Sequence, residues 1–391
     1  MTNRERFFRV IAGHPVDRVP YFPDLSTWYV PRRTPAGQLL KYGAGELVPD
    51  ADTGFHRQRG SLAMPERFRD WTYLDFYRNF DWGVPVHLYD WYGVEYDGAE
   101  EKSVTAGGIR TRRWRCPEGE LTMIYTLADD GSWCPTELPV KNLRDLEIFR
   151  AVTERMRYVP RYDRIHQTLS EIGQHGVLDM VIRRSPFGKL VHELMGFEEL
   201  VFTLHDDPAP IHEWMAFQEQ HDLQLIRLAA AAPEARVVIL SDHSDENLIS
   251  PQQYREFCIP YYRKITGLLH AGGKLVSTHL DGNFKGYMPY LHETGFDILD
   301  GCTPAPMTNW TPAELAAVAK SANLACWCGV PSTLFCQDVK DEVILNAGRE
   351  ILDAFGRNGR LILNVGDICS PTANIEQVIK LGRIVEKLDI P

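Results

Sequence analysis

Apolar and polar positions alternate along this chain in short runs broken by prolines, glycines and polar groups, and the spacing switches repeatedly between helical and extended. Thr2-x-x-Glu5 is a capping-box pattern, and Phe7, Phe8, Val10 and Ile11 follow at helical spacing, which predicts a first helix ending near Gly13-His-Pro15. Short apolar runs predict buried strands at residues 19–24, 84–89, 176–182, 236–241, 274–279, 296–300, 324–328 and 361–365. Helical patterns separate most of them. One starts at Ser250-Pro251 and sets Tyr254, Phe257, Cys258, Tyr261, Ile265, Leu268 and Leu269 on one stripe, with a kink expected at Pro260 and a stop at Gly272-Gly273. A shorter helix is expected at 284–293.

Buried strands alternating with helices argue for a parallel sheet, and eight such units close into a (β/α)8 TIM barrel, an α/β fold, here with an N-terminal helical extension. Residues 25–175 fit least well. They are rich in Trp, Tyr, Pro and Arg, and Gly107-Gly-Ile-Arg-Thr-Arg-Arg-Trp-Arg-Cys116 followed by Leu121-Thr-Met-Ile-Tyr125 has the pattern of a β-hairpin. This stretch reads as a cap inserted into a single domain spanning 1–391, either facing substrate or bracing the barrel rim.

Composition narrows the function classes. At 391 residues and 44% hydrophobic the chain can bury a sizeable core, and a net charge of −11 leaves no broad basic surface, so no nucleic-acid partner is expected. The start lacks the apolar core of a signal peptide, and no stretch approaches the ~18 apolar residues of a spanning helix, so no membrane association is expected and the chain reads as cytoplasmic. Eight scattered cysteines fit reduced thiols better than a disulfide framework.

Strand tips that face one opening are where a parallel barrel does chemistry. The run 274–279 ends on His279, a candidate metal ligand, and Asp281 behind it can ligate, fix the imidazole or cap the turn before Gly282. Asp242-His243-x-x-Glu246 at the preceding tip offers ligands suited to zinc and a carboxylate base, or caps the helix at Ser250. Cys258 is a core thiol unless the Pro260 kink turns it toward the mouth as a ligand. Cys326 and Cys328 share one strand face and could bind a metal, but barrel interiors also take small residues and packing is the expected role. Asp367 and Cys369 follow the last strand, where a ligand is well placed. Arg183-Arg184 can anchor a substrate carboxylate or phosphate, or pair with an acidic neighbour. Asp24, Trp28 and Tyr29 after the first strand offer a polar anchor and aromatic walls for a methyl ether or a quaternary amine, and Tyr89 ends the second strand as a further substrate-facing ring.

Arg9-Val-Ile-Ala-Gly-His-Pro-Val-Asp17-Arg-Val-Pro20, Ile249-Ser-Pro-x-x-Tyr-Arg-Glu-Phe-x-Ile-Pro-Tyr-Tyr-Arg-Lys264, His279-x-Asp-Gly, Gly295-Phe-Asp-Ile-Leu and Leu361-Ile-Leu-Asn-Val-Gly366 together resemble the uroporphyrinogen decarboxylase superfamily. The resemblance implies a (β/α)8 barrel and either a cofactor-free porphyrinogen decarboxylase or a zinc-dependent methyltransferase that works with a corrinoid protein. Decarboxylases carry an Arg-Gln-Ala-Gly-Arg run after the first strand, where this chain reads Asp24-Leu-Ser-Thr-Trp-Tyr-Val-Pro-Arg32. An acidic residue and aromatics stand where a polycarboxylate needs arginines. A family histidine after the last strand's glycine is replaced by Asp367. Coenzyme M methyltransferases carry His-x-Cys and Gly-Cys where this chain has His279-x-Asp281 and Gly366-Asp367. The first methyltransferases of O-demethylase systems carry a ligand, fourteen residues, a ligand, twenty residues and a histidine, a spacing that His243, Cys258 and His279 reproduce with different side chains.

The expectation is a zinc-dependent methyltransferase that demethylates a small methoxylated or methylated compound. Its zinc would sit on His243, His279, Cys258 and Cys369, with Asp24, Glu246, Asp281 and Asp367 as catalytic carboxylates and Trp28, Tyr29, Tyr89, Arg183 and Arg184 binding substrate. No cobalamin-binding Asp-x-His-x-x-Gly occurs, so the corrinoid is expected on a partner protein. A decarboxylase or lyase anchoring a small carboxylate on Arg183 or Arg184 is the alternative, and a non-catalytic binding subunit is another. A homodimer is the family-level expectation.

Overall fold

Seven strands pair in parallel in the order in which they occur along the chain: Val84–Leu88, Gly176–Ile182, Val237–Leu240, Leu275–His279, Ile298–Cys302, Ala325–Gly329 and Leu361–Asn364. The computed structural model describes residues 1–32, 62–128, 133–335, 338–356 and 359–387. The predicted first strand, 19–24, is reduced to a bridge between Tyr21 and Leu363. It still joins the two sheet edges, because Phe22 N donates to Leu363 O at 2.9 Å and Gly83 N donates to Tyr21 O at 2.8 Å. Pro20 and Pro23 have no N–H to give, so the ladder cannot lengthen. The sheet is thus curled on itself, as a TIM-like barrel requires.

Alternation along the strands divides the interior into two levels. Phe22, Val177, Val237, Ile298, Ala325, Trp327 and Ile362 form an apolar floor with Phe7, Val10 and Ile11 of the helix Asn3–Ile11. That helix opens with the expected capping box at Thr2 and Glu5. Phe7 meets the Trp327 ring edge-on at 5.2 Å and sits 5.4 Å from Phe22, which seals this end of the barrel. Two residues further along several of the same strands the side chains are polar: Asp24, Asp179, Asp300 and Asn364.

The expected hairpin belongs to a four-stranded antiparallel sheet, Glu100–Ala106, Ile109–Cys116, Gly119–Leu127 and Trp133–Glu137. Gly107 and Gly108, both at positive φ, make its first turn. One face packs on the helix Leu143–Glu154 through Trp114, Leu121, Met123, Ile148 and Val152. Part of the proposed cap, 33–61 and 129–132, lies outside the described residues. At Pro260 the expected kink takes the form of a π-turn, Tyr254–Cys258, immediately before Ile259–Ala271. The helix expected at 284–293 is a 3₁₀ helix, Lys285–Glu293, with Pro289 inside it. Among the described residues no helix is long and apolar enough to cross a membrane.

Closure between Tyr21 and Gly83 depends on a missing side chain. A Cβ on Gly83 would lie 2.2 Å from the Phe22 ring, which the floor holds in place. Gly83→Ala is therefore expected to destabilise the protein by roughly 1–3 kcal/mol through overpacking. Urea denaturation checks this, and an unchanged midpoint would show that the Phe22 ring can yield.

Candidate functional site

The polar level of the barrel is built from histidine–aspartate pairs on adjacent strands. His279, the last residue of Leu275–His279, lies in register with Asp300, and its Nδ1 is 2.7 Å from Asp300 Oδ2. His87 lies in register with Asp179, and its Nδ1 is 2.9 Å from both carboxylate oxygens. The register of Ile298–Cys302 against its next neighbour shifts between Leu299 and Cys302, which re-aims Asp300. Gly301 follows at φ +72°, where a Cβ would stand 2.6 Å from His279 Cε1, so the imidazole lies on bare backbone.

Two loops complete the group. His243, just beyond Val237–Leu240, has φ +47° and brings its ring to 4.6 Å from that of His279, at 68°. Its Nδ1 is 3.1 Å from Asp281 Oδ2. His279 Nε2 faces Asp281 Oδ2 at 3.7 Å and Asp367 Oδ1 at 3.4 Å. One ligand atom from each of His243, His279 and Asp281 lies within 4.8 Å of the others, close enough that the three could hold one metal ion.

The electrostatics follow from these distances. Burial opposes a charge on His279, but Asp367, Asp300 and Asp281 outweigh it and hold the ring well above its usual range. Burial would likewise raise Asp281, yet the hydrogen bond from His243 and the charge of His279 keep it well below the usual carboxylate range. His243 is lowered, by burial first and then by His279 and Arg184. Burial works against His87 too, but Asp179, then Asp300 and Asp24, push it up to about 10. Burial raises the Asp179 carboxyl as well. We place the shared proton on the His87 ring, because both Asp179 oxygens face it. Asp24 is raised by burial, and its Oδ2 is buried without a partner.

The structure therefore brings together His243, His279, Asp281 and Asp367. Asp24 and Tyr89 lie within electrostatic reach, since burial raises the Tyr89 phenol and Asp179, Asp367, Asp24 and Asp300 raise it further. It does not bring in the others. Cys258 is fully buried in the π-turn, near Tyr262 and Ser185, because the turn leaves it in the core. Cys369 is also fully buried; its N–H donates to Asp24 O at 2.9 Å, so the residue is tied down by its backbone. Glu246 accepts from Gly286 N and Asn309 Nδ2 and so ties two loops together. Trp28 packs against Phe76 and donates to Ala373 O at 3.0 Å, and Tyr29 packs on Tyr73 and Phe76, so both rings are core rather than open walls. Arg184 is held by Glu193 and by the carbonyls of Ser241 and Asp242 at 2.8 Å each. Arg183 lines a different cavity, between the inserted sheet and the helix Leu143–Glu154.

Sequence reasoning missed His87, Asp179 and Asp300 as site residues. A usable signal was present: Gly176-Val-Leu-Asp179-Met-Val-Ile182 and Val84-Pro-Val-His87-Leu88 each place one ionisable group inside a buried strand, where it needs a partner.

The His87–Asp179 pair sets a pH dependence. A ring whose folded value is raised contributes stability that is complete below its ordinary 6.5 and is lost as pH rises through about 10. The urea midpoint of the wild type is expected to fall across that window. His87→Gln should be less stable at the acid end and show a shallower fall; an equally steep fall in the variant would exclude His87 as its source.

Residues 134–388 match the family model for uroporphyrinogen decarboxylase (URO-D). No curated protein matches the sequence. Among solved structures, a methyltransferase from Methanosarcina mazei superposes with a TM-score of 0.62 at 14% identity, covering 99% of this chain and 99% of that one. An endo-beta-1,4-mannanase from Thermotoga petrophila has a TM-score of 0.36 at 11% identity over 59% of this chain and 63% of its own. D-psicose 3-epimerase from Clostridium cellulolyticum H10 has 0.32 at 12% identity, over 57% of this chain and 82% of its own. The likeness to the Methanosarcina protein runs the full length of both chains and is one of fold, while the family model spans most of this sequence, so the chain belongs to the uroporphyrinogen decarboxylase family.

Proposed function

We propose that this chain is a zinc-dependent methyltransferase that demethylates a small methoxylated or methylated compound and passes the methyl group to a corrinoid carried by a separate protein. The observation that carries the reading is the cluster of His243, His279 and Asp281 at the barrel mouth. Two imidazoles and a carboxylate are a donor set suited to zinc, and Asp300 on the far nitrogen of His279 is the partner that fixes a ligating ring. Asp367 offers a further oxygen. The carboxylates that raise His279 would equally favour a cation. The full-length likeness of fold to a methyltransferase supports the same reading.

Zinc held there would supply Lewis acidity toward the leaving oxygen or nitrogen of the methyl donor. The chain's own residues do the rest. Asp300 and Gly301 orient His279, and Asp281 braces His243. Asp24, with a raised carboxyl and an unpartnered Oδ2, is placed to hold or return a proton. The apolar floor closes the opposite end, so donor and corrinoid must share the mouth. Decarboxylation anchored on Arg183 or Arg184 is the weaker reading, because the Arg184 guanidinium is committed to Glu193 and two backbone carbonyls, and Arg183 lines a cavity that no carboxylate of the barrel mouth enters.

Elemental analysis of the purified protein is expected to find about one zinc per chain, the stoichiometry of a mononuclear site. His243→Ala and His279→Ala should each lose it, and Asp300→Asn should weaken zinc affinity roughly 10–100-fold while leaving the fold intact. With reduced corrinoid protein, the loaded wild type should demethylate a methyl ether or methylamine and the histidine variants should not. Wild-type protein that neither carries nor takes up zinc would end this reading.

A further inference from the structure

A cavity of about 380 Å³ lies between the inserted sheet, the helix Leu143–Glu154 and the segment that follows Gly176–Ile182. Its size falls within the range of small-molecule sites. Trp114, Tyr125, Trp133, Phe149 and Tyr158 form its walls, and Arg183, Lys189, His192 and Glu193 stand among them. No histidine or aspartate of the barrel mouth lines it.

Its charges are paired with one exception. Lys189 Nζ is 2.8 Å from Asp222, Arg184 Nε is 3.1 Å from Glu193, and Arg112 Nε is 2.7 Å from Glu101. Arg183 has no ion pair within salt-bridge distance among the described residues; its side chain hydrogen-bonds with Tyr92 and lies in the field of Glu193, and its Nε is buried without a hydrogen-bond partner. Tyr158, 5% exposed, has an unpartnered hydroxyl, and His192 Nε2 is unpartnered too. Burial, then Arg184, push the His192 ring down to about 4, so it brings no second positive charge. Arg183, Tyr158 and His192 all line the cavity, and each leaves a buried polar atom unpartnered, which is costly unless a ligand's polar atoms complete the site.

We propose that this cavity binds an aryl carboxylate, its carboxylate paired with Arg183 beside the Tyr158 hydroxyl and its ring against the aromatic walls. One unpaired cation matches a monoanion. A phosphate dianion would bring a second charge toward Glu101 and Glu193. The cavity shares Arg184 with the metal cluster, because that guanidinium grips the Ser241 and Asp242 carbonyls just before His243.

Calorimetric titration of the full chain with benzoate and with its neutral isostere benzamide tests the assignment without any turnover. Benzoate is expected to bind and benzamide to bind roughly tenfold or more weakly, the loss of a charge-assisted contact. Arg183→Gln and Tyr158→Phe should each weaken benzoate while leaving benzamide unchanged, with circular dichroism confirming folding. Should Arg183→Gln not fold, the wild-type comparison and Tyr158→Phe decide. Benzoate binding retained in His279→Ala keeps the site apart from the metal cluster, so the two readings stand or fall separately. Equal affinity for the two probes, no binding of benzoate at millimolar concentration, or loss of binding in His279→Ala would overturn the proposal.

Discussion

Three aspartates lie inside the barrel, Asp24, Asp179 and Asp300, each at most 3% exposed, and their charge governs what surrounds them. A buried carboxylate is tolerated only when a partner offsets its lost hydration. Asp179 has His87 and Asp300 has His279, each directly beside it in register. Asp24 has no such imidazole beside it among the described residues, only the Ser26 N–H on its Oδ1, and burial accordingly raises its carboxyl. With Asp281 and Asp367 at the rim, carboxylates outnumber imidazoles at this end. That imbalance raises the His279 ring and makes the mouth attractive to a cation.

The same geometry that places these groups also isolates them. Strand side chains alternate, so a residue two positions beyond a floor residue points into the barrel at the next level. Phe22 and Asp24, Val177 and Asp179, Ile298 and Asp300, and Ile362 and Asn364 are four such couples. One level excludes water and packs the end of the first helix; the next carries ionisable groups. A slip of register by one residue would turn these aspartates into the layer between strands and helices, where Leu178, Leu299 and Leu363 now pack.

How far this was readable from the sequence depends on what each residue type reveals about direction. His279, His243, Asp281 and Asp367 stand at or just past strand ends, the end of a parallel barrel where its chemistry is expected, and their side chains do meet there. The strand pattern points to the barrel, but the first strand, expected over 19–24, shrinks to a bridge because Pro20 and Pro23 lack the N–H groups a ladder needs. Trp28, Tyr29, Cys258 and Cys369 are equally near strand or helix ends, but their side chains turn into the core, and proximity in sequence does not encode that turn. Arg184 and Glu246 each carry a chemical and a structural reading in the sequence, and the fold uses both structurally: Arg184 pairs with Glu193 and holds two carbonyls, and Glu246 holds a backbone N–H. His87 and Asp179 were hidden by their apolar neighbours, since a run that reads as buried strand draws attention away from the one group in it that must be paired.

Arg184 shows why such supporting residues matter as much as the cluster itself. His243 is a non-glycine residue in the left-handed region, a conformation that costs roughly 1 kcal/mol or more. It persists because the residues before it are fixed from several sides. Arg184 takes the Ser241 and Asp242 carbonyls, Ser185 N donates to Asp242 Oδ1 at 3.0 Å, and the Tyr262 hydroxyl donates to the other Asp242 oxygen. The strained turn is what carries the His243 ring over His279 and against Asp281. The donor set at the mouth therefore depends on an arginine that touches none of its ligand atoms and that also walls the aromatic cavity under the inserted sheet. A side chain serving both places fixes the spacing between them, so the inserted sheet and the barrel mouth are parts of one construction rather than a catalytic barrel with an ornament.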